Sequence, residues 1–97
     1  MNETVLHRLA EVISDRRENP VPGSYTSSLL ADENDRILKK LLEEALETAL
    51  AAKCESVERV ASEAADLVYH LLVLLASRGL DIRDVEAELE KRFGRGA

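Results

Sequence analysis

Two acidic runs carry most of the chemistry that this sequence can perform. Glu43-Glu44-Ala45-Leu46-Glu47 is an E-E-x-x-E run, Glu63-Ala64-Ala65-Asp66 is an E-x-x-D run, and fifteen residues lie between Glu47 and Glu63. On helices, spacings of three and four put Glu44/Glu47, Glu43/Glu47 and Glu63/Asp66 on shared faces. An antiparallel hairpin turning near Lys53–Ser56 brings the two runs level. Clustered carboxylates repel one another unless a cation lies between them. Such donors are hard oxygens, which suit Mg²⁺ or Mn²⁺ and not zinc. Taken alone, Glu43, Glu44 and Glu47 lie opposite the apolar stripe of their helix and read as a solvated face. Asp66 changes the balance: it enters a long apolar segment, where burial demands a partner or water. Together the runs favour a metal site.

Weaker candidates surround them. His70, one turn after Asp66, can orient it, contact a substrate or hydrogen-bond within the core. Lys40 precedes Glu44 by four residues and is either a phosphate contact or a helical ion-pair partner. Tyr25, Thr26 and the neighbouring serines read first as turn residues. Arg16, Arg17, Lys53 and Arg59 read as solvated charges, and Cys54, with no second cysteine in the chain, as inert.

The elements that must position these groups are helical. Val5, Leu6, Leu9, Val12 and Ile13 mark a first amphipathic helix. Asn19-Pro20-Val21-Pro22-Gly23-Ser24 breaks it, because two prolines and a glycine stop a helix. At most one short helical turn is expected in Ser24–Leu30. The string Asp32-Glu33-Asn34-Asp35 can cap a second helix from about Asn34 to Lys53. A third is expected from near Ser56 to Gly79, with Arg78-Gly79 as its stop. Asp81 is the expected cap of a last helix carrying Val85, Leu89 and Phe93, after which Gly94 and Gly96 release the chain. The expected architecture is all-α: a four-helix chain with a long central hairpin, forming a single domain over 1–97.

That hairpin carries more apolar surface than one chain covers. Ile37, Leu38, Leu41, Leu42, Ala45, Leu46, Ala49 and Leu50 spread over roughly 220° of their helix, where a surface helix needs little more than about 100°. On the next helix Leu67, Val68 and Leu71 to Leu75 cover nearly the whole circumference. A homodimer that closes the hairpins into a helical bundle is the economical solution.

Composition narrows the function. The 97 residues are 45% hydrophobic but only 3% aromatic, which suits helix packing and excludes intrinsic disorder. A net charge of −6 argues against a nucleic-acid partner. The start MNETVLHRLAEV lacks the pattern of a secretory leader, and the most apolar run, Leu67–Ala76, is short of the ~20 residues of a membrane span. A soluble, cytoplasmic protein is expected. A ferritin-like metal protein is disfavoured, because that design needs Glu-x-x-His pairs and here Asp66 and Tyr69 follow Glu63 and Asp66 by three.

The acidic pattern resembles that of the all-α nucleoside-triphosphate pyrophosphatase (MazG-like) superfamily. Three strings are similar to the phosphoribosyl-ATP pyrophosphohydrolase family within it. These are Gly23-Ser24-Tyr25-Thr26 followed by Leu29-Leu30; Lys39-Lys40-Leu41-Leu42-Glu43-Glu44-Ala45 with Glu47 and Ala51-Ala52-Lys53; and the run from Glu63-Ala64-Ala65-Asp66 through Tyr69-His70 to Leu75. The tail Arg78-Gly79-Leu80-Asp81, with Val85 and Leu89, fits as well, so the resemblance spans about Leu6 to Arg92. It implies Mg²⁺-dependent hydrolysis of phosphoribosyl-ATP to phosphoribosyl-AMP and pyrophosphate, the second step of histidine biosynthesis, by a helical homodimer. It further implies Glu44, Glu47, Glu63 and Asp66 as metal ligands, with Glu43 as an auxiliary carboxylate, and Lys40 matches the lysine before the family's acidic pair. The expected base is a carboxylate not fully used as a ligand, Glu43 or Glu47, and Lys40 and His70 are the candidate substrate contacts. No fused cyclohydrolase domain is read in the chain. Leu42 and Asp32-Glu33 stand where many members have glycine, away from every acidic ligand position. Two rivals stay open: a superfamily pyrophosphatase acting on other (deoxy)nucleoside triphosphates, and a non-catalytic helical dimerisation module.

Overall fold

The computed structural model describes residues 3–93, and every regular element among them is helical. Five helices follow one another: α1 Val5–Glu18, α2 Tyr25–Ala31, α3 Arg36–Cys54, α4 Val57–Ser77 and α5 Ile82–Phe93. This is one more than the sequence suggests, and the addition is α2. The expected release at Gly94 and Gly96 lies outside the described residues.

Each boundary has a local cause. The Thr4 hydroxyl accepts from the His7 N–H while His7 Nδ1 takes the Thr4 N–H, which closes a capping box on α1. Past Asn19 the proline-rich segment turns through Gly23, whose φ of +84° suits glycine. Ser24 then caps α2 by accepting from the Ser27 N–H at 3.1 Å. This cap and the fully buried Leu29 turn a seven-residue stretch into a helix where propensity alone supports only a turn.

The polar string before α3 works differently from a simple cap. Asp35 sits at the N-cap with a left-handed φ of +59° and no side-chain bond, and Asp32 Oδ2 instead accepts from the N–H groups of Asn34 (3.0 Å) and Arg36 (3.2 Å). Glu55 and Ser56 alone connect α3 to α4, so the two helices fold back as an antiparallel hairpin. Ser56 caps α4 through the Arg59 N–H. α4 ends in a Schellman motif: Leu80 N–H reaches Leu75 O (2.8 Å), Gly79 N–H reaches Ala76 O (3.0 Å), and Gly79 has φ +78°. Asp81 accepts from Arg83 N–H, and Asp84 accepts from Asp81 N–H, so the expected cap of α5 is a reciprocal pair.

The core gathers Ala10 and Ile13 of α1, Leu29 of α2, Ile37 of α3, Leu72, Val73 and Ala76 of α4, and Ile82 of α5. It therefore sits where α3 begins and α4 ends. By length and composition α4 could cross a bilayer, contrary to the short span read from sequence. Its Glu63 and His70 are buried against the other helices, however, as befits the central helix of a helical core. Leu38, Leu42, Leu46 and Leu50, four residues apart along α3, remain exposed.

Candidate metal centre

The hairpin places Glu44 of α3 beside Glu63 and Asp66 of α4, with one carboxylate oxygen from each within 4.8 Å of the others. Burial is distributed otherwise than the sequence suggests. Glu44 and Glu63 are 7% and 5% exposed, while Asp66 is the exposed member at the rim. Glu44 thus leaves the solvated face expected for the E-E-x-x-E run. It turns inward because the antiparallel register sets it opposite His70: His70 Nδ1 lies 2.9 Å from Glu44 Oε1.

Glu63 is the electrostatic centre of the group. Its Oε1 accepts from Arg59 Nη2 at 2.6 Å, and its Oε2 is the one buried side-chain oxygen without a hydrogen-bond partner among the described residues. The Glu63 carboxyl is held above its ordinary value of 4.5. The neighbouring Glu47 carboxylate is the main cause, followed by burial, and Asp66 adds a little against the opposing pull of Arg59. Glu47 therefore stands next to the cluster through Glu63, itself exposed and outside the three converging residues.

The remaining expected residues separate. Glu43 is exposed on α3 and, among the described residues, joins no cluster. Lys40 is half-buried and, among the described residues, makes no ion pair, so its expected i,i+4 bridge to Glu44 is not formed. His70 is 5% exposed and has both ring nitrogens engaged by protein: Nδ1 by Asp66 O at 2.9 Å and by Glu44, and Nε2 by the Tyr25 hydroxyl at 2.9 Å. A ring held in this way is poorly placed for the direct substrate contact expected of it. Arg59, read from sequence as a solvated charge, lies on Glu63; its i,i+4 spacing was the available signal. Tyr25, a turn residue by its sequence context, reaches the site through His70. Tyr25 stacks on Tyr69 at 6.2 Å, and the Thr26 hydroxyl bonds that of Tyr69.

A hard divalent cation fits this donor set. All donors are carboxylate oxygens, and one of them is buried and unpartnered.

A helical hairpin that converges carboxylates from these two runs places the chain in the class it resembles, the all-α pyrophosphohydrolases. The family model for phosphoribosyl-ATP pyrophosphohydrolase matches residues 6–93, and the chain belongs to that family. It is 52% identical over 89 residues to the phosphoribosyl-ATP pyrophosphatase of Pyrobaculum calidifontis, covering 92% of this chain and 95% of that protein. It is also 52% identical over 93 residues to the phosphoribosyl-ATP pyrophosphatase of Pyrobaculum neutrophilum, at 96% and 99% coverage. Against the histidine biosynthesis bifunctional protein of Caldanaerobacter subterraneus the identity is 44% over 89 residues, covering 92% of this chain and 43% of that longer protein.

Proposed function

We propose that this chain hydrolyses phosphoribosyl-ATP to phosphoribosyl-AMP and pyrophosphate in histidine biosynthesis, with Mg²⁺ held by Glu44, Glu63 and Asp66 and with Glu47 beside them. The observation that carries this reading is the convergence of Glu44, Glu63 and Asp66 around the unpartnered Glu63 Oε2, in a chain of this family. A triphosphate and a carboxylate cluster repel, and the bound cation would supply charge neutralisation at the phosphates and a more acidic water.

The protein's own groups do the rest. Water adds to one side of the α–β anhydride, its proton passes to a carboxylate, and pyrophosphate leaves. Glu47 is our choice as acceptor, because it is exposed and its carboxylate stands next to Glu63 at the edge of the cluster; Glu43, one turn before it, is the second choice. Lys40, a turn before Glu44 and without an ion-pair partner among the described residues, is proposed to hold a substrate phosphate. We assign the reaction to the cytoplasm, consistent with a chain whose one cysteine, Cys54, is exposed and unpaired.

The assembly is proposed to be a homodimer, supported by the exposed row Leu38, Leu42, Leu46 and Leu50. Leu72, first read as part of that apolar seam, belongs to the chain's own core at 2% exposure.

The test is pyrophosphate release from phosphoribosyl-ATP beside a panel of ordinary and deoxynucleoside triphosphates, with and without Mg²⁺. Preference for phosphoribosyl-ATP is expected. Equal turnover of deoxynucleotides moves the assignment to the broader superfamily, and no turnover of any substrate leaves a dimerisation module. Melting curves in Mg²⁺ and in NaCl of equal ionic strength examine the cation separately. Wild type should gain stability in Mg²⁺ by mass action, and Asp66→Asn should gain much less. Identical shifts in both would remove Asp66 from the ligand set.

A further inference from the structure

Tyr25 and His70 have no part in the reaction as written above, yet they form a continuous contact from α2 to the buried Glu44. We propose that they are a positioning relay that fixes Glu44 as a cation ligand, an inference that rests on the metal reading of the carboxylate cluster.

The direction of the hydrogen bonds follows from the partners. His70 Nδ1 faces two oxygens, the Asp66 carbonyl and Glu44 Oε1, each at 2.9 Å, and neither has a proton to give while Glu44 is ionised. Nδ1 therefore carries the proton. In the neutral ring Nε2 is then an acceptor, and the Tyr25 hydroxyl, 2.9 Å away, donates to it. Tyr25 thus selects the tautomer in which Nδ1 carries the proton; its hydrogen bond goes to the Asp66 carbonyl, and Glu44 Oε1 lies beside the same N–H at 2.9 Å. Glu44 thus has one oxygen against the imidazole, and its carboxylate also offers an oxygen to the cluster.

The aromatic packing fixes the ring plane. Tyr69 meets His70 edge-on at 5.0 Å and Tyr25 does so at 5.9 Å, while the tyrosines stack on each other. The same Nδ1–H touches the backbone of Asp66, so one imidazole ties together two proposed ligand residues from two helices. The Asp66 carbonyl satisfies Nδ1–H and the Tyr25 hydroxyl satisfies Nε2, so the ring's own satisfaction needs nothing from Glu44. The Glu44 carboxylate, 7% exposed and 2.9 Å from Nδ1, is what a structural role leaves unexplained.

The experiment uses Mn²⁺ alone as the probe, with free ion followed by its electron paramagnetic resonance signal. Wild type, Tyr25→Phe, His70→Asn and the double variant are titrated, and each is melted in chelator. Tyr25→Phe keeps the stacked ring and deletes only the hydroxyl. His70→Asn keeps an amide donor near the Nδ1 position and deletes the nitrogen that Tyr25 addresses. Removing a group that orients a metal ligand weakens affinity about 10–100-fold. Tyr25→Phe is therefore expected to weaken Mn²⁺ binding about tenfold with little change of melting temperature in chelator. In the His70→Asn background the same change should add less than about twofold, because the two groups act as one unit. In turnover of phosphoribosyl-ATP at saturating Mn²⁺, kcat should fall with KM unchanged. Wild-type Mn²⁺ affinity in Tyr25→Phe, or an equal loss in both backgrounds, overturns the relay and leaves the metal reading standing. A wild type that binds no Mn²⁺ overturns both.

Discussion

At the scale of single residues, the acidic positions were legible and their environments were not. Spacing alone identifies Glu44, Glu47, Glu63 and Asp66 as one group, because helical periodicity fixes which residues share a face. Periodicity within one helix cannot say that Glu44 faces His70, since that depends on the register between two helices. Hence Asp66 was expected to be buried and Glu44 wet, and the structure has the reverse. The raised Glu63 carboxyl leads to a pH dependence with a definite sign. A carboxyl whose pKa is higher folded than unfolded binds more protons in the native state, so its stabilisation is complete below the unfolded value and lost as pH rises through the folded one. The metal-free protein should therefore melt progressively lower as pH is raised from about 4.5 through Glu63's displaced range. Glu47→Gln removes the main cause of the displacement and should flatten this fall. Thermal melts in chelator across that range check it. Parallel curves for wild type and Glu47→Gln would show that Glu47 does not perturb Glu63.

At the scale of elements, the stops were clearer than the starts. Arg78-Gly79 and the Pro20–Gly23 segment end helices where the sequence says they must, since glycine and proline act through the backbone itself. The start of α3 was less plain, because Asp32 reaches across a left-handed Asp35 to cap it. α2 was the element least visible. Seven residues are too few to hold a helix by propensity, so its existence depends on the core beneath it. Leu29 supplies that anchor at 0% exposure, among Ile13, Leu72 and Val73. Leu29→Ala should thus destabilise the protein by about 2–5 kcal/mol, the usual range for a core leucine truncated to alanine. The urea midpoint measures it. The loss should come with a frayed α2, read as faster amide exchange at Ser28 and Leu29 than at Ala51 of α3. A loss below about 1 kcal/mol would mean that α2 is held by its caps and not by the core.

At the scale of the whole molecule, the chain is larger than its length warrants. Its radius of gyration is 14.8 Å, against about 12.5 Å for a compact domain of 97 residues. Its accessible surface is 6941 Å², a quarter above the ~5,500 Å² expected of a monomer of this mass. The difference exceeds the ~800 Å² that each partner buries in a standard interface. Leu42 and Leu46, 74% and 60% exposed, lie in the row that would be covered. A two-fold interface is self-complementary, so one Leu46→Glu substitution places two charges in it. In a monomer that change at an exposed site should alter stability by no more than about 0.5 kcal/mol. In a dimer each buried, unpaired carboxylate costs several kcal/mol, and assembly should be lost. Leu72→Glu is not equivalent, because Leu72 lies in the chain's own core and its loss unfolds the protein in either case. The decisive measurement is sedimentation of wild type and Leu46→Glu at micromolar concentration, with melting followed over a hundredfold dilution. Wild type should sediment as a dimer whose melting temperature falls on dilution, since association stabilises by mass action. Leu46→Glu should sediment as a monomer with a lower, dilution-independent melting temperature, or fail to fold. A wild-type monomer with the same melting temperature as Leu46→Glu at every concentration would leave the leucine row as plain solvent-facing surface.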